Sequence, residues 1–417
     1  FKKRKNCALC ESFQIEKVIN FGKTPLANSY LKNNKHKSET YPLTLSLCKI
    51  CGHLQLNEIV NPEKMFANYS YVSGTSKVLI KHFKDYSSKL INKFRLKKKE
   101  KILDIACNDG TFLREFIEKG FSKVVGVEPA KNLKILNKKI GIDINTVFFD
   151  FDTSIKLKKK YSSFKIITAN NVCAHIPSIN SFVKGVQNIM NDKSIFIFEV
   201  SYLVDVYKKM TFDTMYHEHV SYHSLKPLIG FFRKYKLEIF DFDLVEAQGG
   251  SIRVYVSKKG QRTIKSKKIF KQIEQEERMK IFKKDTFIQY HNKIKNQKTK
   301  LNIILKNLKK NNKKIVGFGA PAKLTTFSYV FEINHKIINF IIDDNPLKQN
   351  TFSPGKKIPI HNYEYLKKNE WDIIIIFAWN FSESILKKIK KDFKKKKIII
   401  PFPKPKIINI QCMKKLY

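Results

Sequence analysis

The chain has 417 residues, 42% of them hydrophobic, and a formal net charge of +45. That length and apolar content suit two or three domains with proper cores. No apolar run reaches the roughly 18 residues of a membrane-spanning helix and no signal peptide stands at the start, so the expectation is a cytoplasmic chain without a membrane partner.

The charge invites a nucleic-acid reading. Lys, Asn, Ile and Phe are abundant while Gly, Ala and Arg are scarce, as an AT-rich genome produces. The lysines are also spread along the chain instead of gathered in one arm, so the charge is read first as compositional.

In chain order, Cys7-Ala-Leu-Cys10 and Cys48-Lys-Ile-Cys51 come first, four of seven cysteines in two CxxC knuckles. Each knuckle can aim two thiolates at one ion, and two knuckles complete a closed tetrahedral zinc site with no position left for a substrate. A redox CxxC is disfavoured, since neither pair opens a helix after a thioredoxin-like strand. Asn68–Ser76 is a polar, aromatic stretch, Tyr69 and Tyr71 included, that leads into a helix.

Lys101–Gly110 reads as a buried strand running into a small-residue turn, and Thr111–Lys119 as the helix that follows, with Phe112, Leu113, Phe116 and Ile117 at helical spacing. A strand, a tight turn and a helix start present free backbone N–H groups to a polar ligand. The next strand ends in Glu128, about twenty residues past the turn, where a carboxylate can take both ribose hydroxyls. The unit is therefore expected to bind an adenosyl group, a ligand-free α/β strand-turn-helix being the other reading. A dinucleotide fingerprint needs several glycines, but this turn has only Gly110, flanked by Asp104 and Asp109. Two carboxylates repel a pyrophosphate and suit the sulfonium and amino group of S-adenosylmethionine.

The alternation continues with a strand over 143–150 carrying Phe149 and Asp150 at its end, a strand 164–170 ending at Asn170, the loop Asn171–Pro177 with His175, and a strand 194–199 tipped by Glu199. Ligands of open α/β sheets bind at such carboxyl ends. Gln248–Val256 closes the sheet. Asp213–His223 concentrates three of ten histidines beside Glu218 and two tyrosines. His217, His219 and His223 could hold a metal, as His-x-His is a common ligand pair. Acid/base work suits the stretch better, because a His beside a carboxylate and a Tyr is poised to move protons near neutral pH.

Residues 266–313 read as a lysine-rich helix pair. A second α/β domain then opens with the strand and glycine turn 314–323, whose backbone donors and Lys323 suit a phosphate. Strands follow at 337–342, 371–378 and 397–400.

With these pieces placed, the chain resembles the nucleotide-sugar C-methyltransferases, which add a branch methyl to a 4-keto-deoxysugar. The resemblance covers nearly the whole length and rests on both CxxC knuckles, Leu-Asp-Ile-Ala-Cys-Asn-Asp-Gly110, Asn-Val-Cys-Ala-His-Ile-Pro177, Tyr216-His-Glu-His219, Gln248-Gly-Gly-Ser-Ile-Arg253, Gly319-Ala-Pro-Ala-Lys323 and Asp343-Asp-Asn-Pro346. It implies an α/β chain with a zinc-binding module (1–75), a class I, Rossmann-like methyltransferase domain (76–260), a helical connector (261–313) and a C-terminal Rossmann-like domain (314–417) that takes the sugar nucleotide.

Carried over by motif, zinc ligation falls on Cys7, Cys10, Cys48 and Cys51. S-adenosylmethionine binding falls on Asp104, Ala106, Asn108, Gly110, Glu128, Phe149 and Asn170. Catalysis falls on His219, Tyr216 and Glu218, helped by His175 and a tyrosine of the Tyr69/Tyr71 pair, Tyr71 being taken first, and substrate binding on Gly319, Lys323, Asn345, Trp379 and Arg253. Ala106 stands where the family usually has glycine, and His217 where its members differ. The expected partner is a small-molecule nucleotide sugar, with no nucleic acid, and the expected state a monomer. An RNA- or protein-directed methyltransferase is the alternative. It predicts clustered basic residues with stacking aromatics, where this chain has dispersed lysines and a second α/β domain.

Overall fold

The computed structural model describes residues 1–412 other than Asn68 and Ser70, and only the backbone of Asn380 and Cys412. Two residues of the aromatic stretch before the first long helix, Asn68 and Ser70, thus lie outside the described residues. The chain forms two compact units. The first is built from Phe1–Lys17, Leu45–Asp205 and Glu218–Lys284. The second is built from Val18–Thr44, Val206–His217 and the chain from Asp285 onward.

In the first unit seven strands form one sheet: β1 (Ile102–Ile105), β2 (Val124–Val127), β3 (Asp143–Asn145), β4 (Ile166–Asn170), β5 (Ile195–Ser201), β6 (Leu237–Val245) and β7 (Ser251–Lys258). Their order is β3-β2-β1-β4-β5-β7-β6. β1 to β5 are parallel, whereas β7 runs antiparallel between β5 and β6. The central strands are apolar on both faces, as a parallel sheet covered by helices requires. Helix α1 (Lys77–Phe94) starts where the Ser76 side chain accepts the Leu79 N–H. It packs on α2 (Thr111–Glu118) through Tyr86 stacked on Phe112, ring centroids 4.9 Å apart.

One strand is shorter than its sequence suggests. β3 ends at Asn145, because the Asp150 carboxylate accepts the Thr153 N–H at 2.8 Å and starts the helix Phe151–Tyr161. An Asp three residues ahead of a helix interior is a cap before it is a strand residue.

The strand Leu54–Leu56 pairs with Leu45–Leu47 and with Ser221–Tyr222. Under this small sheet the His53 and His223 rings lie 5.5 Å apart, both buried. His223 Nε2 donates to the Cys173 carbonyl at 3.1 Å.

The second unit holds another sheet: β8 (Ile315–Phe318), β9 (Ile341–Ile342), β10 (Thr351–Phe352), β11 (Pro359–His361), β12 (Ile373–Ile376), β13 (Lys397–Ile400) and β14 (Lys406–Asn409), in the order β10-β11-β9-β8-β12-β13-β14. The expected connector divides. Ser266–Arg278 lies in the first unit, and Lys284–Lys310, its first residue aside, in the second.

The two excursions of the N-terminal half are tied into this second unit. Thr325 Oγ1 donates to the Ala27 carbonyl (3.0 Å), Thr326 Oγ1 to the Met215 carbonyl (2.9 Å), and His217 Nε2 to the Pro42 carbonyl (3.0 Å).

Burial lowers the His223 pKa from 6.5 to about 4. Below pH 6.5 the unfolded chain binds this proton and the folded one does not. The group therefore stabilises the fold fully above that pH, and the contribution fades as pH falls toward 4. In urea unfolding, the parent should lose about 2 kcal/mol more than His223→Gln between pH 7 and pH 5. Equal losses would remove His223 from the acid sensitivity.

Candidate active site

The turn after β1 is held in an unusual backbone path. Ala106, Asn108 and Gly110 all have positive φ, at 55°, 54° and 76°. A Cβ on Gly110 would meet the Ile142 methyl at 2.4 Å and Asn137 Oδ1 at 2.8 Å, at a φ where side chains are strained, so glycine is favoured there. Four side chains fix the turn. The Glu128 Oε2 accepts the Asn108 N–H (2.8 Å), and Asn137 Nδ2 donates to the Asn108 carbonyl (2.6 Å). Asn108 Oδ1 accepts the Ser73 N–H, and Asp109 Oδ2 the Gly74 N–H, both at 2.9 Å. Asp109 Oδ1 also takes the Thr111 hydroxyl at 2.7 Å. Asp109 is thereby spent on the helix start and on the segment that crosses over the turn.

The floor is rich in acceptors. Asp104 is buried, and Thr168 Oγ1 donates to its Oδ1 at 2.6 Å. Burial, with the nearby Glu128, pushes its pKa up to about 7 against the Thr168 hydroxyl. Burial also raises Glu128, whose Oε1 accepts the Ala130 N–H at 2.9 Å. Each carboxylate oxygen has two lone pairs, so Glu128 keeps acceptor capacity for a ribose. Asn170 Nδ2 donates to Asp104 Oδ1 at 3.4 Å, and the Asn170 Oδ1 is buried without a hydrogen-bond partner. An orphaned acceptor beside Asp104 fits the cationic end of an adenosylmethionine. Phe149 is turned into the core, edge-on to Phe182 at 5.3 Å.

At the next strand ends the acid/base candidates meet. Val220 N and Ser221 N both donate to the Ala174 carbonyl. This brings the His175 and His219 rings to 4.8 Å, edge to face. Burial and His219 hold the His175 pKa well below its usual value. Tyr69 donates its hydroxyl to Glu218 Oε2 at 3.3 Å. Of the two tyrosines, then, Tyr69 reaches Glu218. Tyr71 instead uses its carbonyl, which accepts from Asn108 Nδ2 at 3.0 Å.

Arg253, expected at the substrate, is committed elsewhere. Its Nε and Nη2 donate to Glu199 Oε2 at 2.9 and 2.7 Å, and the group is buried. Two of the guanidinium's five N–H donors are thereby fixed on a buried carboxylate of the neighbouring strand. The three histidines weighed as a metal site form no ligand cluster among the described residues. His219 packs on His175, and His223 packs on His53.

In the second unit the turn after β8 also differs from the phosphate cradle expected of it. Gly319 N donates to the Ile342 carbonyl (2.7 Å) and Ala320 N to Asp343 Oδ2 (2.6 Å), while Pro321 has no N–H. Gly319 has φ +89, and a Cβ there would lie 2.5 Å from that of Ala378. The glycine serves strand packing. Lys323 is buried, its Nζ 5.0 Å from the Trp379 ring centroid. Burial lowers its pKa, against the attraction of Asp213. Trp379 Nε1 donates to Asp213 Oδ2 at 3.0 Å. Asn345 Oδ1 accepts the Leu347 N–H at 2.9 Å, closing a turn. Tyr216 is half-buried. Asp213 carried no assignment in the sequence. Only its three-dimensional neighbours, Lys323 and Trp379, give it one.

The four knuckle thiols gather with all Sγ atoms within 4.8 Å of one another. Cys7–Cys51 and Cys10–Cys48 are each 3.5 Å apart. A tetrahedral zinc with ~2.3 Å bonds needs edges of about 3.8 Å. The Cys51 thiol lowers the Cys7 pKa to about 5, and burial raises Cys10 to about 11. One cation resolves that conflict by ionising all four.

Three family models match in succession. They describe a zinc binding domain over residues 7–66, a methyltransferase domain over 79–241 and a C-methyltransferase C-terminal domain over 246–403. The protein is an S-adenosylmethionine-dependent C-methyltransferase. Its cofactors are S-adenosylmethionine and a structural zinc.

This methyltransferase is 26% identical to the C-methyltransferase NovU of Streptomyces niveus over 409 residues, 97% of each chain. Among solved structures, an S-adenosylmethionine-dependent methyltransferase from Clostridium acetobutylicum is 15% identical, with a TM-score of 0.34. The match covers 43% of this chain and 92% of that one. The magnesium protoporphyrin IX methyltransferase of Synechocystis with bound S-adenosylmethionine is 9% identical, with a TM-score of 0.32. It covers 43% and 79% of the respective chains.

Two outcomes test the site. Cys48→Ala should bring bound zinc, measured by atomic absorption, from about one per chain to near zero, and should abolish cooperative unfolding of the first unit. Ala106→Gly should raise unfolding stability by about 1 kcal/mol, since a Cβ is strained at that φ. A loss of stability would contradict the left-handed turn.

Proposed function

We propose that this C-methyltransferase acts on a nucleoside-diphospho-4-keto-deoxysugar and methylates the carbon next to the ketone. The observation that carries the reading is the His175–His219 pair beside the Tyr69–Glu218 hydrogen bond, at the carboxyl ends of the first sheet. The motif resemblance supplies the substrate class.

A carbon beside a ketone is a poor nucleophile until its proton is removed. His219, through an imidazole nitrogen, is the base in this scheme, with Tyr216, earlier in the same stretch, as the other candidate. Glu218, which already accepts the Tyr69 hydroxyl, is the neighbouring acid that fixes the imidazole in this scheme. His175 stays neutral beside it. A permanent second cation would oppose protonation of His219, whereas a neutral imidazole can still donate an N–H to the enolate oxygen. Bound S-adenosylmethionine supplies an electrophilic methyl group. The protein's own part is to form the enolate, hold its oxygen and keep the acceptor aligned.

The reading is tested with labelled S-adenosylmethionine and a panel of nucleoside-diphospho-4-keto-6-deoxysugars, with structured RNA in parallel. Label is expected on a sugar carbon, and label on RNA alone would overturn the substrate. With the labelled sugar as acceptor, His219→Asn or Tyr216→Phe should lower kcat by about 10²–10⁴. Both variants within about threefold of the parent would remove these residues from proton transfer.

A further inference from the structure

One buried acid in the first unit serves two partners. Glu199 Oε2 is filled by Arg253, and its Oε1 receives His82 Nε2 at 2.8 Å. The guanidinium lies 3.4 Å over the Tyr86 ring. Burial alone would raise the Glu199 pKa, yet His82 and Arg253 hold it below the ordinary value, so the acid is ionised. Arg253 already balances that charge. In the tautomer that donates Nε2–H to Glu199, the imidazole presents Nδ1 as an acceptor. Nδ1 makes no hydrogen bond among the described residues, and the His82 side chain keeps 15% of its surface accessible. An ion pair buried for stability alone does not require a third, partly accessible group oriented on the same carboxylate.

The location gives this arrangement a ligand. Glu199 registers with Asn170 across β5 and β4, and side chains of registered residues leave the sheet on the same face. Asn170 in turn donates to Asp104 and leaves its Oδ1 buried and unpartnered. Along the carboxyl ends the row therefore runs Glu128 on β2, Asp104 on β1, Asn170 on β4, and Glu199 with His82 on β5. An adenosyl ligand with its ribose at Glu128 directs its amino-acid end toward Asn170 and His82. Two acceptors waiting there, next to a carboxylate, suit a cation that donates several hydrogen bonds.

We infer that His82 Nδ1 and Asn170 Oδ1 together accept hydrogen bonds from the α-ammonium of S-adenosylmethionine, with Glu199 orienting the imidazole. His82 is thus a cofactor-binding residue contributed by α1, outside the strand-turn-helix motif that marks the rest of the site.

The test uses the zinc-loaded full chain, with no sugar acceptor, so its result is independent of the proposed substrate. Calorimetry compares S-adenosylhomocysteine with its analogue lacking the α-amino group. His82→Phe, which keeps an aromatic ring against Phe83 and Tyr86, should weaken S-adenosylhomocysteine about tenfold or more and the des-amino analogue less than about twofold. Equal weakening of both ligands would mean a structural role, and no weakening would mean no contact. Either result overturns the inference. Should His82→Phe not fold, His82→Leu, which offers no acceptor to an ammonium, makes the same comparison. As a second readout, the ¹⁵N signal of His82 Nδ1 in the parent should shift on adding S-adenosylhomocysteine and stay in place with the des-amino analogue. A signal unmoved by both would equally overturn it.

Discussion

The left-handed path of residues 106–110 is the constraint on which the rest of the first unit depends. Three residues at positive φ within five cannot hold themselves, since an L-residue with a side chain gains nothing from that conformation. The turn persists because groups far away in sequence saturate it. Glu128 takes one N–H, Asn137 supplies a donor to one carbonyl, and the Ser73–Gly74 segment closes over two side chains. The same interactions that fix the turn also place Glu128 at the tip of β2 and the segment leading into α1 over the turn. Cofactor geometry and the packing of α1 are therefore one problem.

The acids of this basic chain are used several times over. The sequence has 81 Lys and Arg against 36 Asp and Glu. Asp241 alone receives Lys93, Lys265 and Lys268. Burial would raise its pKa, but these lysines hold it far down. Most of the other pairs are exposed and contribute little individually, about 0–1 kcal/mol each. The acids that are buried do different work. Glu199 fixes Arg253 and His82, and Glu276 caps the helix Leu225–Arg233 from outside by accepting the Leu225 and Lys226 N–H groups at 2.6 and 3.0 Å. Where acids are scarce, a buried carboxylate is an informative position.

Several expectations failed for one reason, which is that local sequence does not say where a polar group is already satisfied. The turn 317–323 has the glycines and lysine of a phosphate cradle, yet Asp343 and the Ile342 carbonyl take its donors. Arg253 stands in a motif with two glycines and looks free to meet a ligand, but it pairs with Glu199 on the neighbouring strand. Tyr69 and Tyr71 are indistinguishable in sequence, and the path of the chain after Phe66 sends Tyr69 to Glu218. Asp150 reads as the end of a strand because apolar residues precede it, and it is the cap of the next helix.

The sequence by itself determined the zinc site, the βαβ unit with Gly110 in its turn and Glu128 after its second strand, the alternation of strands and helices, and the gathering of Tyr, His and Glu at 216–219. Each of these is written in spacing: ligand pairs two residues apart, apolar periods of two or 3.6, an acid about twenty residues past a turn. The tertiary structure alone decided the assignment of 18–44 and 206–217 to the second unit, the meeting of His175 with His219, and the coupling of His82 to Arg253 through Glu199. These contacts join residues from tens to more than a hundred positions apart. No local propensity encodes them. They follow from which strands pair and in which register, and that is settled only when the whole apolar surface is buried together.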